Sequence, residues 1–201
     1  MRTDFEVFSD IVFADDGRLR KGQVKKRQLI EATMRIVQRS GIAAVSKRAV
    51  AKEAGFPDSA VSYHFDSVDA MLVAALVAIN NGYVAALRSL PANRDETLLQ
   101  LARYIAASST EYRDDVVAEY EVFVAAARRP ELRSELGRWH EAVDELAARV
   151  TASSTQQRAF AAAVDGLWFR AVIAPARVTA GEALAVMRHV IAPDVTNTAD
   201  G

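Results

Sequence analysis

Residues 46–65 read SKRAVAKEAGFPDSAVSYHF, and the order of small, apolar and helix-breaking residues in this stretch decides the fold. Ser46 precedes a helical run as a cap whose hydroxyl can accept an unpaired backbone N–H. The spacing predicts a helix over 47–54 with Ala49 and Val50 turned inward. Gly55 breaks it, because glycine enters the left-handed conformation without a Cβ penalty. Pro57 and Asp58 then start a helix of about two turns that ends near His64 and Phe65, since proline is tolerated in a first turn and aspartate favours the positive helix end. Ala49, Val50 and Ala54 are small enough for two helices to cross closely, while Val61 and Phe65 anchor the second helix. This is a helix-turn-helix arrangement, which sets its second helix into a DNA major groove. Asp58, Ser59, Ala60, Ser62, Tyr63 and His64 fall on or near the exposed side of that helix. Short and hydrogen-bonding side chains there let the helix enter deeply and meet base edges.

Charge supports the same reading. The chain has 201 residues and a formal net charge of −1, but the charge is unevenly spread. Between Arg18 and Lys52 stand eleven basic residues and one acid, Glu31, a net of +10 that includes every lysine in the chain. Beyond residue 66, thirteen arginines face seventeen acids, a net of −4. A basic segment on an otherwise acidic chain suits a polyanionic partner. The candidate phosphate contacts are Arg18, Arg20, Lys21, Lys25, Lys26, Ser46, Lys47 and Arg48, which raise affinity without reading sequence. Arg18, Arg20 and Lys21 form an arm ahead of the first helix that suits the minor groove or the backbone; a solvated tail would have the same composition.

Outward from residues 46–65 the periodicity stays helical. One stripe runs through Leu29, Ala32, Thr33, Ile36 and Val37 over 22–39 and stops at Gly41. Longer helices are predicted over 67–90, 95–109 and 113–128, then over the run from Leu132 to Val150, and finally over 155–174 and 180–191. The fold class is all-α with about nine helices. The domains are an N-terminal extension (1–20), a helix-turn-helix domain (21–66) and a longer helical domain (67–201), for which the resemblance described below implies ligand binding and dimerisation. Phe5, Val7, Phe8, Ile11, Val12 and Phe13 make residues 1–17 too apolar for a purely disordered arm, which suggests a segment packed on the protein or on a partner subunit.

Composition and motifs argue against other classes. With 51% hydrophobic and 25% charged residues the chain builds a real core. It has no cysteine, so thiolate metal sites, iron–sulfur clusters and Cys nucleophiles are excluded. The longest apolar run, Ala70–Ile79, is about half a bilayer span. No membrane association is expected, and the expected location is the cytoplasm. His64, His140 and His189 lack metal-ligand spacing, and no phosphate loop or nucleophile elbow is present. Neither an enzyme, a metal nor a cofactor is expected.

The run Arg27-Gln-Leu-Ile-Glu-Ala32, Gly41, Val50-Ala-Lys-Glu-Ala-Gly-Phe56, Val61-Ser-Tyr-His-Phe-Asp-Ser67 and Met71-Leu72 resembles the N-terminal domain of TetR-type repressors over residues 22–76. Val164-Asp-Gly-Leu167 resembles a feature of that family's penultimate helix. The resemblance implies a homodimer that binds a palindromic double-stranded operator and releases it when a small molecule enters the C-terminal domain. It further implies a four-helix subunit interface built from the last two helices, which places Phe160, Val164, Leu167, Ala171, Leu184, Met187 and Ile191 at that interface. An intrachain core would show the same stripes. Three positions depart from the family pattern: Val68 stands where Lys is frequent, Ser62 where Tyr is frequent, and Pro57 where a capping Ser is usual, shifting cap duty to a neighbour.

Pockets between helices are mostly apolar with a few polar groups. Candidate ligand contacts by position are Tyr104, Tyr120, Phe123, Trp139, His140, Trp168 and Arg170, the last a charge in an apolar run that could pair with Asp165 or with an anionic effector. Two other readings remain open from sequence: a regulator whose ligand promotes DNA binding, and a helical dimeric interaction module that has lost DNA binding.

Overall fold

The apolar stripe of the first helix is buried along its length: Leu29, Ala32, Thr33, Ile36 and Val37 all lie inside. In the computed structural model, which describes residues 21–128, 133–174 and 176–192, the chain runs α1 (Lys21–Ser40), a 3-10 turn (Ile42–Ala44), α2 (Lys47–Ala54), α3 (Asp58–His64), α4 (Val68–Ser89), α5 (Arg94–Ser108), α6 (Arg113–Ala126), α7 (Arg133–Val150), α8 (Ser154–Ile173) and α9 (Ala180–Val190). These are nine α-helices, with no strand among the described residues. The apolar segment noted within residues 1–17 lies outside them.

Helix limits follow local chemistry. Ser46, Ser67, Asn93 and Ser153 each accept a backbone N–H of the helix they precede. Thr179 and Glu182 form a reciprocal capping box at α9. Each such cap contributes about 1 kcal/mol. The guanidinium of Arg149 donates to the carbonyls of Leu87 at 3.3 Å and Leu90 at 2.9 Å, acceptors at the end of α4, and to the Pro91 carbonyl beyond it at 2.7 Å. Pro57 departs from expectation: it occupies the cap position of α3 itself, with no side-chain cap bond, so the duty does not shift to a neighbour. The Pro57 carbonyl accepts from the Ala60 N–H and closes that turn through the backbone.

Two apolar clusters hold the molecule, and α4 runs through both. Met71, Leu72 and Leu76 pack with α1, α2 and α3, while Ile79, Tyr83, Leu87 and Leu90 pack with α5, α7, α8 and α9. By length and composition alone α4 could cross a membrane, but most of it is enclosed by the other helices. The first cluster also takes in Ala118, Val122 and Ala126 of α6. Residue 66 therefore marks the end of the helix-turn-helix but not of its core, which α4 and α6 complete.

The apolar stripes of the last two helices face the same chain. Phe160, Val164, Leu167, Ala171, Met187 and Ile191 are buried in the second cluster, and Leu184 packs against it half-buried. Within the single chain, six of these residues, expected at a subunit interface, are enclosed by their own subunit, and Leu184 alone of the seven keeps part of its surface. The outward faces carry other residues, with Phe169 48%, Ile173 57% and Val186 41% exposed.

Candidate functional site

The helix pair α2–α3 presents one exposed polar face. Its turn is made by Gly55 at φ +72°, a left-handed conformation whose N–H returns to the Ala51 and Lys52 carbonyls. Val61 and Phe65 are buried and hold α3 down. Asp58, Ser59, Ser62 and Tyr63 are exposed, with Tyr63 projecting at 84%, while Ala60 and His64 are half-buried. The His64 ring meets Tyr63 edge-on at 5.0 Å. Around this helix stand exposed Arg48, half-buried Lys47, and Lys25 and Lys26 on α1. The Lys25 and Lys26 ammonium groups lie 5.9 Å and 5.6 Å over the rings of Phe56 and Phe65, which fixes both against the helix pair. Ser46 is exposed, and its hydroxyl accepts from Ala49 N–H at 3.1 Å. Arg18 and Arg20 lie outside the described residues, as does the side chain of Lys21. Not every base in the basic segment is available to a polyanion. Glu53 pairs with Arg35 at 3.0 Å and Arg39 at 2.9 Å, a brace between α1 and α2 that holds the Glu53 carboxyl below its usual range.

A second site lies among α4, α6, α7 and α8. Tyr83, Glu119, Tyr120, Phe123, Trp139 and Trp168 line a cavity with a free volume of about 60 Å³. Tyr83, Trp139 and Trp168 meet pairwise edge-to-face, with ring centroids 5.4 to 6.0 Å apart. Both indoles are anchored by their N–H groups: Trp139 donates to Asp165 and Trp168 to the buried Ser108 hydroxyl, each at 2.9 Å. The Tyr83 hydroxyl donates to Glu119. Burial pushes the Glu119 carboxyl up to about 7; the Tyr83 bond opposes that rise and the Asp115 charge adds to it. Burial, with the charges of Asp165 and Glu119, pushes the Tyr120 hydroxyl up to about 12.

Of the seven ligand candidates read from sequence, Tyr120, Phe123, Trp139 and Trp168 come together at this cavity. Tyr104 is buried elsewhere and accepts from Gln100. His140 is exposed, its Nδ1 against the Leu136 carbonyl. Arg170 faces outward near Glu182 rather than pairing with Asp165, which Trp139 engages. The sequence pattern does not single out Tyr83 or Glu119. Tyr83 reads as one more member of the α4 stripe. Glu119 carries a signal, since an acid one residue before Tyr120 and four before Phe123 shares their side of α6.

One helix touches both sites. The cavity face of α6 carries Glu119, Tyr120 and Phe123, while its other side clasps the helix-turn-helix unit. Gln38 of α1 donates to Asp115 at 2.8 Å, and the Ile42 backbone N–H donates to Glu121 at 2.8 Å. Gly41 lies beside the same carboxylate, and a Cβ there would be in ordinary contact with it at 3.5 Å. Ile42, Tyr120, Glu121, Val124, Phe169 and Ile173 also border an open groove between the 3-10 turn, α6 and α8.

Fold and site thus define a helix-turn-helix protein with an aromatic cavity in its helical second part. Residues 29–75 match the model of the bacterial regulatory proteins of the tetR family, and residues 92–193 match that of the tetracyclin repressor-like C-terminal domain. Among solved structures, the multidrug binding protein EbrR complexed with ethidium is 34% identical, covering 83% of this chain and 98% of that one, with a TM-score of 0.71. The same protein complexed with malachite green also matches at 34% identity over 83% of this chain and 97% of that one, with a TM-score of 0.71. A TetR-family member from Streptomyces coelicolor A3 is 33% identical over 83% of this chain and 98% of that one, with a TM-score of 0.72. No protein of curated function matches. The chain belongs to the TetR family of DNA-binding transcriptional regulators.

Proposed function

We propose that this regulator is a repressor of the cytoplasm that binds a palindromic operator as a homodimer and lets go when a flat organic cation enters the α4–α8 cavity. The observation that carries this reading is that α6 forms a wall of the cavity and also the clasp on α1 and the 3-10 turn. A free volume of about 60 Å³ holds a water or two but not a multi-ring dye. Taking in such a ligand therefore requires a wall to move, and movement of α6 is transmitted to the helix-turn-helix unit through Asp115 and Glu121. A ligand shifts the equilibrium only by its preference for one arrangement, and here the open cavity is that preference.

The chemistry of the lining favours a cation. Aromatic rings attract positive charge over their faces, and Glu119 and Asp165 add carboxylates at or beside the wall. EbrR has been crystallised with ethidium and with malachite green, both aromatic cations. For the homodimer, the surface left by the intrachain packing is the outward face of α8 and α9. There Ala162, Gly166, Phe169 and Ile173 recur at helix spacing, with Ala185 and Val186 on α9 all exposed. Small residues permit close helix approach, and the exposed apolar groups provide burial.

The DNA half of the reading is tested by selecting a random duplex pool on the purified protein at two salt concentrations and sequencing what is retained. Enrichment of a palindrome, with retention falling steeply as salt rises, is the expected result. Weak, salt-independent retention without enrichment contradicts it and leaves a helical interaction module.

A further inference from the structure

Glu119 sits in the cavity wall with an acid's chemistry and, among the described residues, no base beside it. Its hydrogen-bond partner is the Tyr83 hydroxyl, a neutral donor from α4. The other titratable groups set toward it, Asp115 and Tyr120 on its own helix, are acidic or phenolic, and the nearby Asp165 of α8 acts on Tyr120 and is engaged by Trp139. On α7, Arg138 is taken by Glu135 at 2.7 Å and by Asn81 at 2.7 Å, and on α1 Gln38 is bonded to Asp115. The remaining lining, Phe123, Trp139 and Trp168, is aromatic. Glu119 is half-buried, and a carboxylate set among rings and acids carries uncompensated charge when ionised, a costly state for the empty site wherever water is displaced from it.

Resting on the cation reading above, we infer that the cavity works by exchange: as the organic cation enters, the proton on the Glu119 carboxyl leaves to solvent. No covalent bond other than the carboxyl O–H is broken, and the net charge of the cavity is unchanged. The empty site is neutral because the carboxyl is protonated, and the filled site is neutral because carboxylate and cation compensate. The upward displacement of the Glu119 carboxyl by burial is consistent with this and sets the range in which exchange is felt. Both phenols are raised further and keep their protons near neutrality. Operator release is then sensitive to pH as well as to dye, because acid and cation compete for one carboxylate.

Calorimetric titration of the full chain with ethidium, whose positive charge is fixed, in buffers of differing ionisation enthalpy counts the protons released. About one proton per dye is expected at pH 6, about one half at pH 7 and almost none at pH 9, with affinity rising towards about tenfold per pH unit below neutrality and levelling above it. Glu119→Gln is expected to bind more weakly and release no proton. Tyr83→Phe, which removes the donor and leaves the carboxyl in place, is expected to move the release curve to higher pH. Binding without release at pH 6 and 7 overturns the exchange while leaving the cation site standing, and release that persists in Glu119→Gln overturns its assignment to that residue. Failure of ethidium to bind at any pH overturns the cation reading and the exchange with it.

Discussion

The backbone N–H of Ile42 donates to the Glu121 carboxylate at 2.8 Å, joining the turn that follows α1 to the helix that walls the aromatic cavity. Gly41, at φ +76°, turns the chain toward α6; a Cβ there would be in ordinary van der Waals contact with the Glu121 carboxylate at 3.5 to 3.6 Å, so the positive φ rather than space calls for glycine. The two ends of the proposed switch thus meet at one charged hydrogen bond and one neighbouring bond, Gln38 to Asp115.

Glu121→Ala is accordingly expected to uncouple the sites more than it unfolds the chain. Loss of a hydrogen bond to a charged group costs about 1.5–3 kcal/mol, enough to lower Tm by several degrees. Dye affinity should stay within about twofold, while the response of DNA affinity to dye falls by about tenfold or more, within the usual range of coupling energies. A variant that keeps the full response shows that the signal does not pass through this bond.

The proposed operator contact predicts two kinds of residue on the α2–α3 face. Replacing Lys47 or Arg48 by Ala is expected to weaken binding to all duplexes alike and to reduce the salt slope by about one for each phosphate that is no longer neutralised. Replacing Ser59 or Tyr63 by Ala is expected to change the preferred sequence, at about 1–3 kcal/mol for a side chain on a base edge. Binding curves on specific and scrambled duplexes across salt distinguish the two, and identical behaviour of both pairs removes the distinction.

Glu119 makes the empty protein less stable as pH rises. Its folded-state value is raised from 4.5 to about 7, so the folded state holds the proton more tightly than the unfolded chain. The stabilisation is complete below about pH 4.5 and is lost as pH climbs through 7, at most about 3 kcal/mol over that span. Denaturant unfolding between pH 5 and 8 should show the wild type losing stability relative to Glu119→Gln. A difference that stays flat with pH contradicts a half-buried carboxyl without a counter-charge.

Gly55→Ala tests the turn of the helix-turn-helix directly. No heavy atom lies within 4 Å of the added Cβ, so space is not the obstacle, but φ +72° is. The expected cost is about 1–2 kcal/mol from the left-handed backbone alone. Thermal unfolding measures it, and an unchanged Tm shows that the turn is not held in this conformation.

The DNA-binding half is legible in the sequence because its constraints are local: Ser46, Gly55 and the Val61–Phe65 spacing specify cap, turn and anchor within twenty residues. Periodicity identifies helices and buried stripes but not what buries them. Phe160, Val164 and Met187 have the same pattern whether they face their own chain or a second one, and only the fold assigns them to the intrachain core. The cavity is half visible. Tyr120, Phe123, Trp139 and Trp168 stand out as large aromatics on helix stripes, but their convergence on Tyr83 and Glu119 depends on how α4, α6, α7 and α8 pack. On α6 the spacing predicts a single apolar stripe through Val116, Tyr120, Phe123 and Ala127. The helix instead buries two sides, Ala118, Val122 and Ala126 against the first cluster and Tyr120 and Phe123 at the cavity, leaving Ala127 exposed.

The most direct measurement is the affinity of the protein for its selected operator duplex, read by fluorescence anisotropy at pH 6 with and without malachite green, a dye that stays largely cationic at this pH and is preferred over ethidium because ethidium intercalates into the duplex. A regulator switched through α6 should lose operator affinity by about tenfold or more at saturating dye. Operator affinity that is unchanged while the dye is demonstrably bound would contradict a cavity that controls the DNA-binding helices.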